Sequence, residues 1–213
     1  MIVDKLGMSP EDRTHLVENL DVIINSAASV NFDDPLQDAL SINYFGSQRM
    51  LELAKECKHL DVFTHISTCY VNCNRTGLIE EKIYDLKMDV ESQIKHIMSM
   101  NKIQIAENEK QILGVFPNTY TFTKNLAEKS LMKNRGHVTV CLVRPAIIAS
   151  SLREPFPGWT DSLSAAGGIS LMTGLGLINY LKARGDNKFD IIPVDIVTNQ
   201  IITATAYGSL TKN

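Results

Sequence analysis

The sequence predicts an α/β fold, a partial doubly wound parallel sheet with helices on both faces. Three observations carry this expectation. Short apolar runs at Asp21–Asn25, Val62–Thr68 and Val138–Val143 alternate with stretches of helical apolar spacing. No internal repeat, low-complexity tract or Pro/Gly/Ser linker divides the chain. At 213 residues, 44% hydrophobic and 21% charged, the chain is long enough to bury a substantial core as one domain or most of one.

Taken in order, Val22-Ile23-Ile24 is a buried strand closed by the small residues Ser26-Ala27-Ala28, the pattern of a strand that ends at a ligand crevice. From Pro35 to about Lys58, apolar residues Leu36, Leu40, Ile42, Met50, Leu51 and Leu53 recur at helical spacing. Val62–Thr68 is the second strand. A helix is expected over Thr119–Lys133, with Pro117-Asn118 before it and Gly136 after it. Val138–Val143 is the third strand. Two segments depart from this rhythm. Residues 77–117 read as a charged, helical insertion near the active site, a candidate lid, because they exceed an ordinary connection. Residues 150–190 read as a loop region rich in Gly, Pro and aromatics, followed by an apolar helix from Ile196 to about Tyr207.

The net charge of -3 argues against a nucleic-acid or anionic-membrane surface. No apolar run reaches 18 residues, the N-terminus lacks a signal-peptide pattern, and Leu210-Thr211-Lys212-Asn213 is not a peroxisomal ending. Cys57, Cys69, Cys73 and Cys141 lack zinc-ligand spacing, so they are expected as reduced packing thiols, and no metal site is expected.

In such sheets ligands sit at the carboxyl ends of the strands, which directs attention to five features. Tyr120 and Lys124 are four apart and share one helix face. An ammonium near a phenol lowers its pKa and makes it a competent acid or base for a carbonyl oxygen. The plainer reading is a surface lysine beside a half-buried tyrosine. Ser67-Thr68 closes a strand, where a hydroxyl can hold a substrate oxygen, or can simply cap a turn. Arg144-Pro145 closes another strand, as a strand-ending proline also would. Ala27 and Ala28 admit a nucleotide to the backbone, or serve tight packing. Asn43 ties the backbone near the site, or is polar on a solvated face. The order of all five on successive elements makes coincidence a poor account.

That order, Ser-Ala-Ala, Asn in the next helix, Ser-Thr, Tyr-x-x-x-Lys, Arg-Pro, resembles the extended short-chain dehydrogenase/reductases with their Rossmann-type sheet. The finer text NSAASVNF, FTHISTCYVN, PNTYTFTK, EPFPGW and DIIPVD resembles the alcohol-forming fatty acyl-CoA reductases of the male-sterility type, over about Gly7 to Ala206. The resemblance implies NADPH as cofactor and a long-chain acyl-CoA as substrate, reduced through the aldehyde to a fatty alcohol. It implies Tyr120 as proton donor, Lys124 as holder of the nicotinamide ribose, and Thr68, or less directly Ser67, as holder of the substrate oxygen. Ala27, Ala28 and Asn43 would line or support the cofactor groove, and Pro145, Ala146 and Ile147 would lie by the nicotinamide. The family is usually found at peroxisomal or endoplasmic-reticulum membranes, an address this chain does not encode.

The family's glycine-rich turn, which holds the cofactor pyrophosphate on backbone N–H groups, has no counterpart here, since Gly7 is the only glycine before Gly46. The chain therefore reads as the C-terminal half of the reductase domain, with strand Asp21–Asn25 exposed as an edge and NADPH not held by these residues alone. A second departure is Gly174-Leu175-Gly176, where the family has Lys between the glycines. Two alternatives stand beside the reductase: a non-catalytic binding or partner module, and a related enzyme acting on a different carbonyl.

Overall fold

Three strands form where the apolar runs predict them. A computed structural model describes residues 3–84, 89–163 and 165–211, and in it β1 (Val22–Asn25), β2 (Val62–Ile66) and β3 (Val140–Val143) run parallel in the order β1-β2-β3. Ile23 stands opposite Phe63, and Phe63 opposite Val140. The fold is α/β with parallel sheets, as expected, but each strand is shorter than its apolar run. Ser67 and Thr68 lie beyond β2, where Thr68 accepts from the Tyr70 N–H and starts the 3-10 turn Cys69–Asn72.

Strand alternation divides the first sheet's residues between two faces. Ile23 and Phe63 pack with Leu51, Leu53 and Ala54 of α3 (Gly46–Glu56) and with Leu131 of α6 (Thr119–Asn134). Burying each such side chain contributes about 1.5–3 kcal/mol. On the opposite face, the final turns of α8 (Val194–Thr211) lie on β2. Thr205 and Thr64 share a hydroxyl hydrogen bond of 2.8 Å, and a Cβ added at Gly208 would come 3.0 Å from Val62. A side chain there would require Val62 to give by a few tenths of an ångström. β1 and β3 are the edges of this sheet, and Val22 and Ile24 are exposed on β1.

The continuous helix expected over residues 35–58 is interrupted. It comprises α2 (Leu36–Ala39), a π-helical turn Leu40–Phe45, and α3. The Ser47 hydroxyl lies against the wide turn, 2.9 Å from the Asn43 carbonyl and 2.8 Å from that of Tyr44. A further helix, α1 (Pro10–Asn19), is not foreshadowed by any apolar periodicity, because none of its residues is fully buried and it carries no apolar stripe. It is fastened to α3 by Arg13, whose guanidinium meets Glu56 through two hydrogen bonds of 2.9 Å.

The charged segment 77–117 contains α4 (Val90–Ser99) and α5 (Lys102–Leu113), while residues 85–88 lie outside the described residues. Asp89 and Asn101 cap these helices, and Asn101 with Gln104 forms a capping box. Both helices enter the core. Ile94, Ile97 and Ile105 are buried with Leu36, Leu40, Tyr44, Phe116, Phe122 and Leu126. That packing differs from a lid, which would leave the segment's apolar side chains free to part from the sheet.

Two compact units result, one of Met1–Arg144 with Thr205–Asn213 and one of Pro145–Ala204. In the second, β4 (Ile147–Ala149) pairs in parallel with β5 (Ile191–Pro193), and the expected loop region holds α7 (Ala165–Gly174). Asp195, in the first turn of α8, gathers the segment that leads into EPFPGW and its first residue. Its carboxylate accepts from the N–H groups of Leu152 at 3.0 Å, Arg153 at 2.9 Å and Glu154 at 3.3 Å. These donors, Leu152 foremost, hold its pKa down to about 2. Among the described residues no helix is long and apolar enough to cross a membrane, and no group of His, Cys, Asp and Glu could hold a metal ion. The four cysteines are thiols, Cys57 buried, Cys141 partly buried, Cys69 and Cys73 exposed.

Candidate active site

The ends of β1 and β2 and the first turns of α6 bring together most of the residues singled out from the sequence. Helix α6 begins at Asn118, whose side chain accepts from the Thr121 N–H at 2.8 Å, and this cap fixes the azimuth of Tyr120 and Lys124 one turn apart. Thr119 donates to the Phe32 and Asp34 carbonyls, and the Phe32 ring lies 5.7 Å from the Tyr120 ring. The loop after β1 is thereby held against the start of α6.

Asn43 makes the second attachment. Its Oδ1 accepts from the Ser29 N–H at 2.9 Å, while its Nδ2 donates to the Ser29 carbonyl and to Thr123 Oγ1, each at 3.1 Å. Both backbone groups of Ser29 are thus bound to one amide that is itself bound to α6. Asn43 is 2% exposed, so the polar residue inside the helix faces the site rather than solvent. Ala27 is exposed and Ala28 half-buried at the mouth of this loop.

Thr68 and Tyr120 meet. Thr68 next to the Tyr120 phenol pulls the phenol's pKa down, but burial, the larger effect, holds it above its ordinary value. Ser67 Oγ is buried with no hydrogen-bond partner among the described residues. An orphaned hydroxyl at a strand end calls for a ligand atom or a water, so the site fits a polar group arriving there.

Lys124 departs from the expected tuning of Tyr120. Rather than facing the phenol, its Nζ turns inward, donates to the Ile66 carbonyl at 2.6 Å and lies 3.4 Å from His65 Nε2. The residue is 1% exposed, and burial, partly offset by Glu128, lowers its pKa to about 8. The phenol therefore has a raised pKa because burial acts on it without an adjacent ammonium to offset it. Behind Lys124, the Asn25 amide nitrogen lies 3.1 Å from His65 Nδ1, and burial, with the Lys124 charge, pushes the His65 ring well below the ordinary histidine range.

His65 and Glu128 are not legible as site residues from the sequence. His65 sits inside an apolar run, and its only signal is that it shares the inward phase of Ile23 and Phe63. Glu128, 3% exposed, binds Arg144 through Nε at 2.9 Å and Nη2 at 2.7 Å, one helical turn beyond Lys124. Its signal is the i, i+4 spacing from Lys124. Pro145, Ala146 and Ile147, the other cofactor-side expectations, are half-buried at the start of the second unit, with Ile147 in β4.

Similarity to known proteins extends over almost the whole chain. Residues 1–201 match the NAD-binding family described as Male sterility protein. Fatty acyl-CoA reductase 1 of Xenopus laevis is 35% identical over 208 residues, 98% of this chain and 40% of that protein. A putative fatty acyl-CoA reductase of Drosophila melanogaster is 37% identical over 205 residues, 96% of this chain and 40% of that protein. The chain thus spans well under half the length of these relatives. Among solved structures, the terminal R domain from the myxalamid PKS-NRPS biosynthetic pathway superposes with a TM-score of 0.66 at 20% identity, covering 96% of this chain and 44% of that one. A UDP-glucuronic acid 4-epimerase from Bacillus cereus gives 0.63 at 17% identity over 94% of this chain and 54% of its own. These likenesses give the Rossmann-type fold, and the family match gives the membership. The chain belongs to the male sterility protein family of NAD-binding domains.

Proposed function

We propose that this chain forms the catalytic part of an NADPH-dependent fatty acyl-CoA reductase that takes a long-chain acyl-CoA through the aldehyde to the alcohol. The observation that carries the reading is the buried Ser67 hydroxyl beyond β2, without a partner among the described residues and next to Thr68 and the raised-pKa phenol of Tyr120. NADPH, when bound, would supply one hydride to the thioester carbonyl, with CoA leaving as the thiol when the C–S bond breaks, and a second NADPH would supply hydride to the resulting aldehyde. Tyr120 is a neutral phenol at physiological pH, and burial keeps it so to higher pH, so it acts as the acid that protonates the developing oxyanion. Thr68 gives its one hydroxyl proton to the same oxygen, and Ser67 offers a further donor to the ligand. Ala27 and Ala28 line the cofactor, with Asn43 fixing the backbone beside them. Lys124 holds the ribose once its amine leaves Ile66, and Pro145, Ala146 and Ile147 flank the nicotinamide. Residues 77–117 and 150–190 shape the acyl-CoA side.

The test is fatty alcohol formation from long-chain acyl-CoA and NADPH by the full-length polypeptide that carries these residues. Tyr120→Phe should lower kcat at least ~100-fold, the scale of one lost general acid. Turnover retained within a few-fold sinks the assignment of Tyr120. NADPH is preferred to NADH by family resemblance, and competition between the two reads this directly. The 213 residues by themselves should not bind NADPH in a fluorescence titration, because they lack the pyrophosphate-binding glycine turn. A micromolar Kd would overturn that part.

A further inference from the structure

Beneath the site lies a buried chain of polar groups of which the reductase reading uses only Lys124. It runs from Asn25 at the end of β1, through His65 on β2, to Lys124 on α6 and the Ile66 carbonyl. All three side chains are buried, at 3%, 1% and 1% exposure. A neutral imidazole has one N–H and one lone pair, so a partner at one nitrogen decides what the other can do. Asn25 presents an amide N–H to Nδ1, which must then accept and carry no proton. The proton sits on Nε2, facing Nζ at 3.4 Å. An N–H facing an ammonium is repelled, whereas an N–H facing an amine finds a lone pair.

We propose that Asn25 and His65 form a dock for the uncharged amine of Lys124: Asn25 fixes the ring proton on Nε2, Nε2–H donates to Nζ, and Nζ donates to the Ile66 carbonyl. His65 is then a positioning residue, holding the lysine inward and away from the Tyr120 phenol. The other charges acting there run the opposite way. Glu128, four residues along α6, favours the ammonium, and Arg144 beyond it neutralises Glu128. Tyr120, neutral and one turn before, adds no charge. Burial and the dock act together, which fits an amine whose pKa lies near 8. The place of Lys124 in turnover rests on the proposed reductase reading, but the dock itself does not.

Nitrogen-15 NMR of the labelled chain at about pH 9, above the Lys124 pKa, tests the dock without any activity measurement. The expected result is a neutral His65 ring with its proton on Nε2 and a Lys124 amine titrating near 8. A proton on Nδ1, or an imidazolium, overturns the proposal. Asn25→Asp then inverts the logic with a nearly isosteric group. The carboxylate accepts from Nδ1–H, Nε2 becomes an acceptor, and the Lys124 pKa should rise by about one unit or more. An unchanged tautomer in a folded Asn25→Asp variant also overturns it. Should that variant not fold, the unsubstituted tautomer alone decides. Failure of the dock leaves the Tyr120→Phe result untouched, so the two readings fail separately.

Discussion

Lys124 makes the chain's stability depend on pH in a way that can be worked out beforehand. Its pKa falls from 10.5 to about 8 on folding, chiefly through burial. At about 1.36 kcal/mol per decade this corresponds to about 3 kcal/mol of cost for keeping the ammonium in the folded state at neutral pH. Because the folded pKa is the lower one, the unfolded chain holds the extra proton between about pH 8 and 10.5, and stability rises with pH across that window. Lys124→Met keeps most of the volume and removes the titration. Its advantage over the unsubstituted chain should shrink from about 3 kcal/mol at about pH 7 to about 1 kcal/mol at about pH 10, less a constant of about 1 kcal/mol for the unpaired Ile66 carbonyl. Tyr120 and the cysteines also titrate at high pH, but both proteins share them, so they largely cancel in the difference. Urea unfolding of the two proteins at intervals between about pH 7 and 10 measures it. A difference that stays flat over that range refutes the argument, since no constant packing effect can produce the slope.

Three further outcomes follow from other contacts. Arg144→Met leaves Glu128 buried without its partner and should cost about 3–5 kcal/mol in chemical denaturation, whereas a loss under about 1 kcal/mol would mean that Glu128 finds water or another donor. Asn43→Ala removes three hydrogen bonds and should cost about 2–4 kcal/mol, with amide protection of Ser29 lost first; protection that survives would show the loop is held by Thr119 and Phe32 instead. Asp195 has a depressed pKa, so the order it gives the 152–154 turn is present above about pH 4 and lost as pH falls through about 2. Amide protection of Leu152 and Arg153 should fade in that interval, and Asp195→Asn should weaken it at every pH.

Where burial enforces a pattern, the sequence is readable. β1, β2 and β3 are legible as apolar runs, and α6 by the Pro117-Asn118 before it and the Gly136 after it. α1 escapes because none of its residues is fully buried, although Ser9-Pro10-Glu11-Asp12 is a helix start by its own chemistry, with Ser9 accepting from the Asp12 N–H. α7 escapes because Gly167, Gly168 and Gly174 read as loop, and β4 because its partner β5 lies far along the chain, a separation no local pattern spans. In the site, Thr68 stands out at a strand end and Tyr120 by its spacing from Lys124. The direction of Lys124 is not legible. Its spacing from Tyr120 gives a shared helix face, but which neighbour a long side chain reaches depends on His65 and Ile66 across the sheet.

The double hold on Ser29 has a thermodynamic consequence for whatever approaches Ala27 and Ala28. A loop of small residues after a strand would ordinarily sample many backbone states, and ordering one residue costs about 1–2 kcal/mol. Here Asn43 binds both backbone groups of Ser29 before any ligand arrives. That entropy is surrendered during folding. The association step inherits a surface already in shape, and affinity there is decided by contacts and not by ordering.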